Sequence, residues 1–112
     1  MDFVQEQAGD AVIVRLTGRL DGTVAKSVED RFERLLTDGG SPYIAIDMAG
    51  VEYISSAGLR VLLLVGKKLQ QAKGKLTLFD CIPHVYDVFS MSGFDRMVPI
   101  HSGSAAAIAA LR

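Results

Sequence analysis

Residues 42–48, PYIAIDM, form a short, nearly continuous apolar run flanked by turn residues. The run is too short for a helix, so it reads as a strand buried on both faces. A strand of that kind must be covered by helices, and the flanking sequence supplies them. Upstream, TVAKSVEDRFERLL (residues 23–36) sets Val24, Val28, Phe32 and Leu35 at spacings of four, four and three, with Lys, Glu, Asp and Arg on the other face. That stripe predicts an amphipathic helix, which Gly39 and Gly40 end. Before it, AVIVRLTG (residues 11–18) is rich in β-branched residues and puts Val12, Val14 and Leu16 on one side of a period-two pattern, a strand.

Downstream, residues 57–72 predict a second helix. Ser55 or Ser56 is its N-cap, Lys67, Lys68 and Lys73 lie toward the negative end of its dipole, and Gly74 closes it. KLTLF (residues 75–79) is a further strand. Pro83 opens a short helix through Val85, Val88 and Phe89 that Gly93 stops. RMVPI (residues 96–100) reads as an edge strand, since Pro99 cannot donate to a ladder. SAAAIAALR (residues 104–112) is a terminal helix capped by Ser102 or Ser104. Strands alternating with helices give an α/β fold with a small, partly parallel sheet.

The totals exclude several functions. A chain of 112 residues suits one domain, here residues 1–112. Its net charge of −1 gives no basic face for nucleic acid. The single cysteine, Cys81, excludes an intramolecular disulfide and any CxxC metal site, and fits a reducing compartment. The longest unbroken apolar stretch, residues 61–65, is far short of the ~20 residues of a membrane span. The acidic start MDFVQEQAGD shows no signal-peptide pattern, so a cytoplasmic location is expected.

Enzyme motifs fail on spacing. VGKK lacks the upstream glycine of a phosphate-binding loop and lies inside a helix, and no GxGxxG follows a strand. Ser56 has Gly58 after it but Ile54 before it, so the Gly-x-Ser-x-Gly elbow of a hydrolase is incomplete. His84 and His101, the only histidines, have no ligand-like spacing. Asp21 and Asp47 each stand near a strand end, where an aspartate ordinarily serves a turn, and nothing in the sequence brings them together. No catalytic residue, metal or cofactor is expected.

What remains is YISSAGLRVLLLVGKK, residues 53–68. A serine at a helix start needs no function beyond capping. Yet the first two turns of this helix are apolar almost all round, with Arg60 the one polar break, so the helix is either buried on most sides or shares a face with a partner. Small Ala57 and Gly58 beside the hydroxyls leave the backbone open to close approach.

These residues resemble the signature of STAS domains, specifically bacterial anti-sigma factor antagonists, whose usual form is Asp, Ser, Ser or Thr, then Gly-Leu and an apolar helix. VRLTGRLDGTVA (residues 14–25) resembles the family's second strand and the turn after it. FSMSGFDRMVPI (residues 89–100) resembles its late MSG segment and last strand. The resemblance implies a STAS-type single domain, a small mixed sheet of 4–5 strands packed with about four helices. It also implies a non-enzymatic partner switch. The unphosphorylated protein binds an anti-sigma factor that is also a serine kinase, phosphorylation of a serine at the helix start releases it, and a PP2C-type phosphatase resets it. Carried onto this chain, the acceptor is Ser56, with Ser55 the alternative. The partner-binding positions are Asp21, Gly22 and Thr23 in the turn and Ser55, Ser56, Ala57, Gly58 and Arg60 at the helix. The family's Asp before the acceptor is Ser55 here, and its second hydroxyl is Ala57. A second reading is a STAS subunit of a lipid-transport ATPase, in which the serine belongs to an interface without being phosphorylated.

Overall fold

A computed structural model describes residues 1–38 and 41–112. One five-stranded sheet runs in chain order: β1 (Asp2–Ala8), β2 (Ala11–Leu20), β3 (Tyr43–Ile54), β4 (Lys75–Phe79) and β5 (Ile100–His101). β1 and β2 form an antiparallel hairpin, whereas β2 through β5 are parallel, which makes the sheet mixed as expected. The parallel crossovers hold α1 (Ala25–Thr37), α2 (Ser56–Gln71) and α3 (Pro83–Ser92), and α4 (Ser104–Ala109) follows β5.

The period-two pattern of β2 sorts the core. Val12, Val14 and Leu16 point with Ile44, Ile46 and Met48 into a main cluster, closed by Val28 and Phe32 of α1 and Val61, Leu62 and Val65 of α2. On the opposite face Ala11, Ile13, Ala45 and Phe79 pack under Ala107 and Leu111 at the C-terminal end of the chain. Each large side chain so buried contributes about 1.5–3 kcal/mol. Thr77, the buried polar residue of this layer, donates its hydroxyl to the carbonyl of Ala107 at 3.0 Å and so fastens α4 to β4.

Several boundaries differ from the sequence expectation, each for a local reason. β1 escapes the hydropathy pattern because it is an edge strand whose residues are mostly exposed. β3 runs six residues past Met48, because Val51 returns to the core after one register shift and Ile54 after a second. Five steps along β2, from Arg15 to Leu20, are matched by seven along β3, from Asp47 to Ile54. Two extra residues on one strand are β-bulges, and they hide the alternation. α1 starts at Ala25 because Thr23 and Val24 belong to a turn. Gly39 and Gly40, expected to end that helix, lie outside the described residues.

At the end of α2 the left-handed residue is Lys73 (φ 60°) rather than Gly74. Gly74 is required instead by close packing: a Cβ there would lie 2.6 Å from the Cβ of Pro42. Pro83 and Gly93 bound α3 as expected, Gly93 at φ 80°. The edge strand is shorter and later than residues 96–100, since Phe94–Arg96 form a 3-10 turn and pairing begins at Ile100. α4 is preceded by Gly103 at φ 83°, with neither Ser102 nor Ser104 capping it.

Candidate functional site

Parallel strands end on one edge of the sheet, and the loops there are the usual place for binding surfaces. Leu20 closes β2 and Ile54 closes β3, and the two are register partners. The turn after β2 and the start of α2 are therefore laid side by side. The Ser55 amide donates to the Leu20 carbonyl at 3.0 Å, and Gly58, one turn into the helix, is buried against the same residue. A Cβ at Gly58 would run into the Leu20 carbonyl oxygen and lie 2.7 Å from Leu20 Cγ. The close approach that this glycine permits is thus made by the chain's own strand.

The two serines have different surroundings. Ser55 is the N-cap, in extended backbone (φ −96°, ψ 174°), and its Oγ accepts from the Gly58 amide at 3.2 Å. The same hydroxyl faces the Leu20 carbonyl at 3.4 Å. Ser56 is the first helical residue and is exposed. Arg60, also exposed, stands four residues on, hence on the same helix face one turn away. The first amides of a helix have no partner within it, and together with the dipole they favour an anion.

Beside the helix start, Asp21 organises the turn. Its Oδ1 accepts from the Thr23 amide at 3.0 Å and from the Thr23 hydroxyl at 2.6 Å, and its carbonyl accepts from the Val24 and Ala25 amides. The Thr23 hydroxyl bond is the main reason that the Asp21 carboxyl titrates below its ordinary 3.8, with the Thr23 amide second and the Arg19 charge adding to both. Gly22 and Thr23 are exposed at the tip.

Arg19 and Tyr53 were not singled out in the sequence. The Arg19 guanidinium lies 4.2 Å over the Tyr53 ring, and its Nε is 3.8 Å from Asp21 Oδ2. They are register partners on β2 and β3, a pairing that the bulges make invisible to simple alternation.

Asp47 does not join Asp21. It pairs with Arg15 at 3.2 Å, seven residues before the end of β3, which is roughly 20 Å along a strand. Burial, with Asp80 adding to it, pushes the Cys81 thiol up to about 12, so it is protonated at neutral pH and no nucleophile. Among the described residues, no group of three or more His, Cys, Asp and Glu side chains is placed to hold a metal. No described helix is long and apolar enough to cross a membrane.

A mixed sheet with its helices on the parallel crossovers, an exposed hydroxyl at a helix N-terminus and an ordered acidic turn beside it define a small α/β module. The chain belongs to the STAS domain family, which residues 2–107 match. It is 36% identical over 112 residues to a Bordetella bronchiseptica protein named as anti-sigma factor antagonist BtrV, covering 100% of this chain and 96% of that one. An anti-sigma factor antagonist from Mycobacterium paratuberculosis has a similar fold, with TM-score 0.89, 22% identity and coverage of 99% and 93%. So does SpoIIAA, solved unphosphorylated (TM-score 0.84, 22% identity, coverage 99% and 96%) and, from Bacillus, phosphorylated (0.76, 21%, 99% and 100%).

Proposed function

We propose that this chain is an anti-sigma factor antagonist that works as a partner switch, with Ser56 as its phosphate acceptor. Unphosphorylated, it binds an anti-sigma factor that is also a serine kinase, through the Asp21–Gly22–Thr23 turn and the start of α2. The kinase phosphorylates Ser56, the complex separates, and a PP2C-type phosphatase restores the binding form.

The observation that carries this reading is the division between the two hydroxyls. Ser55 is engaged in the cap, whereas Ser56 stands free at the surface. The names of the relatives support the function, and a fold neighbour solved with and without phosphate supports the chemistry.

Physical chemistry explains why such a switch releases the partner and spares the fold. A phosphoserine carries about −1.5 to −2 charge at neutral pH. In the free protein the helix amides face that charge, and water solvates the rest. Pressed against a partner, the phosphate must be desolvated, which costs several kcal/mol unless a cation answers it. Each ~1.4 kcal/mol is tenfold in affinity.

The test is incubation with a serine kinase of the anti-sigma factor type, with ATP and Mg²⁺, and mass-spectrometric mapping. One phosphate on Ser56, absent from Ser56→Ala, is the expected result. Phosphate on Ser55, or none while a stable complex forms, overturns the assignment.

A further inference from the structure

At the far end of α2 from Ser56, a groove of about 500 Å³ follows the edge of β4. Leu63 and Gly66 of α2 form one wall and residues 97–99 the other, with Leu76 and Thr77 as the floor. It exists because β5 has two residues. β5 pairs only Leu78 and Phe79 of β4, so the first half of β4 has no neighbour on that side.

Three features point to one kind of occupant. The walls are largely apolar, and the volume lies within the range of small-molecule sites. Lys67 and Lys75 line the groove, and no acidic side chain does. Among the described residues neither lysine has a carboxylate within salt-bridge distance, although Lys26 and Lys68 both do. Finally, the Lys75 amide is bound to Pro42 on the β3 side and the Leu78 amide to Pro99 on the β5 side. Strand alternation turns the Leu76 amide toward the groove, and among the described residues no protein acceptor meets it.

We infer that this groove binds a small amphipathic anion, its apolar body between α2 and residues 97–99 and its anionic head at Lys67 and Lys75. Strand addition by a peptide fits less well, because it needs a row of edge amides and β4 offers one. Gly66 borders the groove where its walls meet: a Cβ there would touch Val98 Cγ2 at 3.5 Å and Leu76 Cδ2 at 3.6 Å, so the apolar body lies beside this contact and a longer side chain must extend past it. A larger side chain at Gly66 therefore fills the groove from the helix side.

The probe is decanoate, with decanol as its uncharged counterpart, in amide-resolved NMR titrations of the whole chain. Decanoate is expected to shift the amides of Leu76, Val98 and Gly66, and to bind about tenfold or more tightly than decanol, a difference of ~1.4 kcal/mol. Gly66→Leu should abolish these shifts. The paired charge reversal Lys67→Glu and Lys75→Glu should remove the preference for decanoate while leaving the spectrum folded, and it carries the test if Gly66→Leu does not fold. No shifts at millimolar decanoate, shifts elsewhere on the surface, equal binding of decanol, or an undiminished preference in the lysine variant each overturn the inference.

Discussion

The hydroxyl of Ser55 accepts the amide of Gly58 at 3.2 Å, which makes it the bond that opens α2. Its neighbour Ser56 is left out of that bond and faces solvent. The two substitutions to alanine should therefore separate cleanly. Ser55→Ala is expected to cost about 1 kcal/mol in urea unfolding, as loss of an N-cap does, with phosphate acceptance retained. Ser56→Ala should change stability by less than ~0.5 kcal/mol and abolish phosphate transfer. Equal stability losses in the two variants would contradict the assignment of the cap.

A charge at Ser56 should be tolerated by the free protein and rejected by the complex. Ser56→Asp is expected to keep its thermal midpoint within a few degrees, because the helix dipole favours an anion in the first turn. Its affinity for the proposed kinase partner should fall about tenfold or more, equivalent to ~1.4 kcal/mol. Calorimetric titration against wild type reads this directly, and unchanged affinity would count against control by phosphate.

The Asp21 turn predicts a pH response with a defined sign. Hydrogen bonds from Thr23 hold the Asp21 carboxyl below 3.8, so its ionised form is favoured by folding. The resulting stabilisation is fully present above the unfolded value and is lost as pH falls through the lower, folded one. Thr23→Val removes the hydroxyl donor, and the Asp21 carboxyl should then titrate at a higher pH in carboxyl-detected NMR. A midpoint that stays in place would mean that the hydroxyl bond is not what lowers it.

Gly58→Ala should be far more damaging than its one methyl suggests. The added carbon meets the Leu20 carbonyl and the Leu20 side chain together. Overpacking of this kind costs ~3 kcal/mol at the upper end of its usual range. Denaturant unfolding should show a loss of that order, while Ala57→Gly, at the more open neighbouring position, should cost under ~1 kcal/mol from helix propensity.

Where one residue's neighbours in sequence decide its environment, the sequence was readable. PYIAIDM buries Ile44, Ala45, Ile46 and Met48 because Asp47 is its one charged position, and Val28, Phe32 and Leu35 line one face of α1 because their spacing closes a helical turn. Pro83 and Gly93 bound α3 through backbone rules that hold anywhere. The candidate acceptor was legible for the same reason, as a hydroxyl at the mouth of an apolar helix. What the sequence concealed depends on residues distant in the chain. The bulges of β3 are defined only against β2, and so is the Arg19–Tyr53 stack. The role of Gly58 depends on Leu20, thirty-eight positions earlier, and reverses the expectation that the glycine opens the backbone to a partner.

The Gly58–Leu20 contact also bears on how such a chain can drift. A clash between two side chains can be relieved by a second, compensating substitution that trims the neighbour. Here half of the obstacle is a main-chain carbonyl, which every residue at position 20 brings with it. No replacement of Leu20 removes that oxygen, so a suppressor screen on Gly58→Ala should return no full revertant at position 20. Movement of the strand or the helix is the remaining escape, and either would displace Ser55 and Ser56 with it. At this joint the freedom to vary is set by the backbone, and the proposed acceptor inherits that constraint.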